Sequence, residues 1–459
     1  MKKISFCGIS GNGMSALAQI MKLKGYDVQG SDLNFDNGLD QDRKKALQDV
    51  GIKIYPQDGK NITSDLETLY ITNGINEKNP DIKAALDQNI PLKKRSDLLA
   101  ELFHQYEFNI AVGGTCGKTT TTAMIAYILD KLGYSPCMIN GGFLKNYAQR
   151  PGLANYIYNQ GKYCVIEADE SDGSIVKYHP YIALINNISH DHKPIEELKS
   201  YFREFSQHAK FGVVVNADCP HASKISQHPN TKCYSILNKE ADLFADEIRL
   251  SERGISYKIE GKEFHLQILG RFNVYNALAA ILSCQMLGID KFEAAKALET
   301  FLGTQRRLEL IGKTSDNISV YDDFAHNPQK IEATLSTLRE YEGRIIAVYQ
   351  SHTPFSARNT GEEDGEVFGK TLNPTDILLM PEIYERNPEV DTDISASDLV
   401  EMAKRHGTNA HFLPTKADVK KYILQHAQSG DKIVIMGAHD NSLPQFCQTL
   451  LKELKNGQH

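Results

Sequence analysis

Short apolar runs and longer stretches of helical spacing alternate along almost the whole chain. Ile4–Ile9 is a strand-like run, Ser15–Lys24 carries Leu17, Ile20 and Met21 at helical spacing, and Asp27–Asp32 reads as a second strand. This predicts a βαβ opening. The first series closes on a basic patch and a short helix, Asp97–Phe103. A second series starts with the strand Phe108–Val112, a glycine-rich turn and the helix Thr121–Leu132. Strands at Tyr163–Ala168, Tyr181–Ile188 and Gly212–Asn216 follow, then a helix-like stretch over Gly270–Leu287. A third series after Leu310 has strands at Ile318–Tyr321, Arg344–Tyr349, Asp376–Met380 and Lys432–Met436. Helical patterns lie between them at Gln329–Glu340, Ala396–His406 and Ala417–His426. Strands and helices that alternate at this spacing predict an α/β chain whose parallel sheets are covered by helices. Boundaries are expected near 106 and 312, giving segments 1–106, 107–312 and 313–459.

The 459 residues give room for several domains with buried cores. Hydrophobic residues at 41% and charged residues at 24% argue against a largely disordered chain. Lys+Arg number 51 and Asp+Glu 58, a net charge of −7 that speaks against a general nucleic-acid binder. No apolar run reaches the ~20 residues that cross a bilayer, so no membrane partner is expected. Lys2-Lys3 leads straight into a strand and a glycine turn, without a signal-peptide core. The eight cysteines are scattered with no C-x-x-C pair, which reads as reduced thiols in a cytoplasmic protein.

The strongest chemical signal is Gly113–Thr120, where a strand feeds a glycine-rich turn, then Lys118-Thr119, then a helix. In such a turn backbone N–H groups face an anion, Lys118 adds charge and the Thr119 hydroxyl suits Mg²⁺. Val112 stands where the usual phosphate-loop pattern has its first glycine. Glu167-Ala168-Asp169-Glu170-Ser171-Asp172 then places four carboxylates within six residues at a strand end. They repel one another unless cations sit nearby. Mg²⁺ carried with ATP would relieve them, because hard cations prefer oxygen; a solvated acidic loop is the alternative. Asn186–His192 also follows a strand, and alternation puts His190 and His192 on one side if the strand continues. Zinc would lack a third nitrogen or sulfur ligand at useful spacing. One histidine joining a Mg²⁺ site is the better functional reading, and a structural histidine is the alternative. Gly8–Ser15 has the spacing G-x-x-G-x-G, and Asp32 ends the second strand. That turn either opens its N–H groups to a phosphate or is a tight strand–helix corner. Arg306-Arg307 suits phosphate oxygens, and Asp322–Pro328 lies at the strand that opens the third series.

Taken together and in this order, the motifs resemble the Mur ligases of peptidoglycan synthesis over essentially the whole chain. The matching stretches are Gly8–Ser15, Gly30-Ser31-Asp32, Gly114–Thr120, Glu167–Ser174, Asp191-His192, Gly270–Ala280, Arg306-Arg307 and Asp322–Pro328. Glu167–Ser174 is similar to the alanine-adding branch rather than to the tripeptide-recycling one, which tends to carry Tyr at the position of Ser171. The resemblance implies a Rossmann-like first domain for the uridine diphosphate and a P-loop ATPase-like central domain with a mostly parallel sheet. It implies a Rossmann-like third domain that helps bind ATP and the amino acid. ATP and Mg²⁺ are the implied cofactors, UDP-N-acetylmuramate and L-alanine the implied partners, in a monomer or homodimer. The family reaction activates a carboxylate as an acyl phosphate, which an amine then attacks. This needs charge neutralisation and positioning more than a protein nucleophile.

Carried over by motif, Gly114, Thr115, Gly117, Lys118, Thr119 and Thr120 would cradle the nucleotide phosphates. Thr119 and Glu167 would hold Mg²⁺, and His192 would help hold a second one, so Lys118, Glu167 and His192 are the catalytic candidates. Asn276 would contact the nucleotide, Arg307 and Asp323 would close on ATP, and His326 would lie near the nucleotide or the amino acid. Gly11, Gly13, Met14, Ser15, Asp32 and Ser171 would line the UDP-sugar site. Several positions depart from the family pattern: Phe272 and Asn327 each replace a His, Lys193-Pro194 replaces Met-Asp, Cys116 replaces a His, and Ser351 replaces a Pro. These departures keep two other readings open: ligation of another amino acid or a tripeptide, and a non-catalytic UDP-sugar binder. The N-terminal glycine turn also prompts a dehydrogenase reading, against which stand the second phosphate loop and the glycine spacing.

Overall fold

The structure, a computed structural model, describes residues 2–72, 74–75, 77–189, 193–384, 393–437 and 440–457. The chain divides into two compact units. One holds the chain up to Arg249 with Ile255–Ile268 and Phe272–Thr304; the other holds Leu250–Gly254, Leu269–Arg271 and the chain from Gln305.

The first unit contains two main sheets. The first is built from β1 (Lys3–Cys7), β2 (Asp27–Ser31), β3 (Lys53–Tyr55), β4 (Leu66–Ile71) and β5 (Leu92–Lys94), in the order β3-β2-β1-β4-β5. All its pairings are parallel. Helix α1 (Asn12–Leu23) follows β1, and α2 (Arg95–Phe103) follows β5. Strand order reverses at β1, so the glycine turn that follows it opens at the sheet's switch point, where α/β folds take ligands.

The second sheet has β6 (Phe108–Gly113), β7 (Cys137–Ile139), β8 (Tyr156–Tyr158), β9 (Tyr163–Glu167), β10 (Ile182–Ile185), β11 (Gly212–Asn216), β12 (Thr231–Ser235) and β13 (Leu243–Phe244). Their order is β13-β12-β11-β10-β6-β9-β7-β8, and only β8, against β7, runs antiparallel. Strand β6 is central, so its glycine-rich turn emerges between the ends of β9 and β10. Helix α3 (Lys118–Lys131) is buried from Thr119 to Leu129, because it packs against the sheet at β6 and β9 and against α4 (Phe272–Met286), which itself packs on β11 and β12. One core runs through both sheets, from Phe6 and Leu17 to Ile139, Ile166 and Phe202. Polar ties cross the same joint. Gln19 meets Asn155 at 3.2 Å and the Leu153 amide at 2.7 Å, and Lys177 Nζ reaches Asp97 at 2.6 Å.

A small sheet, β14 (Asp246–Ser251), β15 (Gly254–Ile259) and β16 (Lys262–Leu266), completes this region. The second unit carries β17 (Glu309–Lys313), β18 (Ser319–Asp323), α5 (Pro328–Arg339), β19 (Ile345–Gln350), β20 (Ile377–Met380), β21 (Ala410–Phe412) and β22 (Lys432–Gly437). The order is β17-β18-β22-β19-β20-β21, parallel except for β17. Alternate residues serve two cores. Tyr321, Ala347 and Val434 face Leu335 and Phe368, while Val320, Ile346 and Ile433 face Cys447 and Leu450.

Strands and helices stand where the alternation predicts them, with shifted ends. One shift matters: the strand expected over Tyr181–Ile188 stops at Ile185. The alternation argument for His190 and His192 therefore does not apply, and both lie outside the described residues.

Asp364 yields a stability prediction. Its Oδ2 accepts from the Tyr349 hydroxyl at 3.1 Å and the Thr360 hydroxyl at 3.2 Å. Burial pushes its carboxyl up to about 7. A carboxyl raised in the fold favours folding below its unfolded value near 4, and that advantage is lost as pH rises through 7. Asp364→Asn keeps a neutral acceptor. Its thermal stability is expected to gain on the wild type between pH 5 and pH 8, by on the order of 2 kcal/mol. A gap that stays constant with pH would contradict this.

Candidate active site

The turn after β6 is shaped by two glycines in the left-handed region, Gly114 at φ 134° and Gly117 at φ 85°. A Cβ on Gly117 would stand 2.5 Å from Asn276 Oδ1. The loop is clamped by the segment that follows β10. The Thr115 amide donates to the Asn187 carbonyl at 3.1 Å, and the Cys116 amide to Asn187 Oδ1 at 2.8 Å. Asn187 Nδ2 returns a bond to the Cys116 carbonyl at 3.0 Å, and the Ser189 amide donates to Thr115 Oγ1 at 3.0 Å. A buried chain lies behind: Tyr234 OH to Asn186 at 3.1 Å, Asn186 to Thr121 at 2.9 Å, Thr121 to Asn276 at 3.1 Å, and Asn276 to Asn273 at 2.8 Å. Asn276, expected against the nucleotide, therefore braces the loop from beneath with a buried amide. Such a network holds the loop's backbone in place before any anion arrives, with the Thr115 and Cys116 amides given to Asn187.

Lys118 Nζ donates to the Gly114 carbonyl at 2.7 Å and to Glu170 at 2.9 and 2.8 Å. Burial disfavours its charge, but Glu170, Asp169 and Glu167 outweigh that and raise it above the ordinary lysine value. Burial pushes Glu170 above the usual carboxylate range and Lys118 pulls it only part of the way back, while two hydrogen bonds join the pair. Burial would also raise Asp169, but Lys118, Ser171 and Arg95 hold it below the usual carboxylate range. The mutual repulsion read from the sequence is thus relieved in this structure by the protein's own cations. Ser171 is exposed, and its amide donates to Asp169 at 3.1 Å.

Glu167 and Thr119 each lie against one of two adjacent glycines, Gly141 and Gly142. The Gly141 amide donates to Glu167 Oε1 at 2.6 Å, and a Cβ on Gly141 would meet that carboxylate at 3.0 Å. A Cβ on Gly142 would stand 2.7 Å from Thr119 Cγ2. A hydroxyl and a carboxylate are oxygen donors, which suit Mg²⁺. Among the described residues no group of three His, Cys, Asp or Glu side chains forms a metal site. His192 lies outside the described residues.

At the first sheet, Asp32 is spent on backbone. Its carboxylate accepts from the Ser10 amide at 2.8 Å and the Asn34 amide at 3.0 Å. Met14, Ser15 and Asp32 are all buried, and Ser15 Oγ accepts from Asn155 Nδ2 at 3.0 Å. These three side chains support the turn, leaving Gly11 and Gly13 at its rim. Two arginines flank it. Arg43 Nη1 donates to the Ser10 carbonyl at 2.9 Å and Asn12 Oδ1 at 3.0 Å, and its guanidinium lies 4.8 Å from the Phe143 ring centroid. The Arg95 guanidinium lies against Gly13, 3.1 Å from where a Cβ would be. Neither arginine belongs to a motif; Arg43 drew no sequence expectation, and Arg95 falls in the basic patch that precedes the expected helix Asp97–Phe103.

In the second unit, Arg306 Nε donates to Asp322 at 3.2 Å. Burial pushes Asp322 up to about 6 against the pull of Arg306. Burial likewise raises Asp323, which Arg307 opposes, and the Leu308 amide donates to Asp323 at 2.5 Å. His326 Nδ1 lies 2.8 Å from the Phe324 carbonyl. Asn327, where the family pattern has His, accepts from the Lys330 amide at 3.0 Å and so caps α5.

Residues 3–107 match the model of the Mur ligase family, catalytic domain; 112–284 match the Mur ligase middle domain; and 306–439 match the Mur ligase, glutamate ligase domain. The UDP-N-acetylmuramate–L-alanine ligase of Sulfurihydrogenibium sp. (strain YO3AOP1) is 32% identical over 99% of this chain and 98% of its own length. That of Caldicellulosiruptor bescii is 34% identical over 96% of each. The crystal structure of UDP-N-acetylmuramate-alanine ligase MurC from Thermotoga maritima superposes over 100% of both chains with a TM-score of 0.82 at 27% identity. A murein peptide ligase from Psychrobacter arcticus shares the fold, with a TM-score of 0.70 at 23% identity over 99% of both chains. With its three domains matched in order and 32–34% identity to relatives along nearly their whole length, this chain belongs to the Mur ligase family.

Proposed function

We propose that this chain joins the carboxylate of UDP-N-acetylmuramate to the amine of L-alanine, with ATP converted to ADP and phosphate, in peptidoglycan synthesis. One observation carries the reading: a pre-braced phosphate loop bearing Lys118 and Thr119 stands beside Glu167, in a chain that spans the length of relatives named for this reaction. Segment 1–106 holds the UDP moiety on the turn at Gly11 and Gly13, with Met14, Ser15 and Asp32 behind it and Ser171 across from it. Segment 107–312 holds ATP on Gly114–Thr120. Segment 313–459 supplies Asp323 and His326, and Arg307 just before it, to ATP and the amino acid. The protein acts in the cytoplasm as a monomer or homodimer, without nucleic acid.

Mg²⁺ bound at Thr119 and Glu167, with His192 beside a second ion, would neutralise charge on the phosphates. Lys118 exchanges Glu170 for the β/γ-phosphate oxygens and stays protonated, because carboxylates surround it in either state. The loop amides fix the γ-phosphate in line with the acid. A carboxylate oxygen of the acid bonds to the γ-phosphorus as ADP leaves. The amine then bonds to the acyl carbon, the phosphate departs with that oxygen, and the amine sheds its extra proton. In a phosphate-release assay, turnover is expected only when ATP, UDP-N-acetylmuramate and L-alanine are all present. Equal release with either co-substrate omitted would refute ligation, and a preference for tripeptide over L-alanine would move the assignment to the recycling branch.

A further inference from the structure

The UDP-sugar reading of the first domain leaves the role of one cation open. Arg95 opens α2, whose start is anchored: Asp97 accepts from the Lys94 amide at 3.0 Å, and Lys177 Nζ holds both Asp97 at 2.6 Å and Ser96 at 3.0 Å. From this fixed base the guanidinium faces two ways. Its Nη1 is the atom 3.1 Å from a Cβ on Gly13, so it borders the rim of the glycine turn. Its Nη2 stands 3.8 Å from Asp172 Oδ2, a charge contact longer than a hydrogen bond. Asp172 is fixed in turn, since its Oδ1 accepts from the Ser174 amide at 2.9 Å. Asp172 belongs to the same acidic run whose Glu170 holds Lys118.

A guanidinium has a planar fork of donors that can serve two oxyanions at once, but its charge is shared between them. Resting on the UDP-sugar reading of the first domain, we propose that Arg95 is a diphosphate-binding residue divided between two anions: the nucleotide-sugar diphosphate over Gly13 and the carboxylate of Asp172. Asp172 then tempers the affinity of the first site, and Arg95 links that site to the acidic run beside Lys118. The two residues act with opposite sign. Loss of Arg95 removes an attraction, whereas loss of the Asp172 charge removes a competitor and a nearby negative charge.

Calorimetric titration of the full chain with UDP tests this. Arg95→Gln is expected to raise the Kd for UDP about tenfold, and Arg95→Lys to recover part of that loss. Asp172→Asn keeps the oxygen that accepts from the Ser174 amide and is expected to lower the Kd about threefold. In the full reaction, Arg95→Gln is expected to raise KM for the UDP-sugar acid and leave KM for ATP within about twofold. Variants that both weaken UDP binding would show a merely structural tie between α2 and the acidic run and overturn the proposal, as would an unchanged Kd in Arg95→Gln. Wild-type protein that takes up no UDP would overturn the reading of the first domain along with it.

Discussion

Lys118→Met is expected to lower ATP-dependent ligation by roughly 10³-fold while UDP binding stays within about twofold. The size follows from the position. Lys118 is the cation at the mouth of a loop whose backbone is already held in place, and Met keeps its length and apolar stem but not its charge. The same change strands Glu170, which is only 3% exposed. Removing one partner of a buried ion pair costs on the order of 3 kcal/mol, so the variant is also expected to melt earlier. The double variant Lys118→Met/Glu170→Gln separates the two effects. It is expected to regain most of the lost stability and none of the lost turnover, read by thermal unfolding and by phosphate release. Turnover restored by the second change would mean that Lys118 serves the fold alone.

Gly117→Ala is expected to cost about 10²-fold in turnover, chiefly through weaker ATP binding. Two physical causes combine. At φ 85° a side chain is strained by ~1–2 kcal/mol, and the new methyl would stand 2.5 Å from Asn276 Oδ1. Asn276 has to move, and with it the bonds through Thr121 and Asn186 that align the loop. Asn276→Ala in the same chain opens the space but leaves the backbone strain, so it is expected to recover turnover only partly. Full recovery would show that the clash alone matters, and an unaltered single variant would show that the brace does not matter.

The central strands were legible because parallel strands buried on both faces read as continuous apolar runs. Phe108–Gly113 and Ile345–Gln350 are of this kind. The hairpin at Gly254–Leu266 was not, since its alternation is spread over short, charged segments such as Lys262-Glu263. The phosphate loop was legible as a motif, and its helix begins at Lys118 rather than Thr121 because Gly117 makes the left-handed corner. A motif marks the type of a turn but not the direction of its side chains. Met14, Ser15 and Asp32 accordingly face inward, and Asn276, expected to contact the nucleotide, lies beneath the loop. The acidic run was legible as a charge problem. Its solution was not, because Arg95 is 77 positions from Asp172, and only the fold brings them to 3.8 Å. Gly141 and Gly142 carry no motif at all; their role is to leave room for Glu167 and Thr119.

The account depends on the acid being phosphorylated on the loop that carries Lys118. UDP-N-acetylmuramate labelled with ¹⁸O in its carboxylate tests this most directly, when turned over with ATP and L-alanine and followed by the isotope shift in ³¹P NMR. The account predicts one ¹⁸O atom in each phosphate released, carried from the carboxylate as the amide forms. Phosphate released without label, alongside amide product, would contradict it.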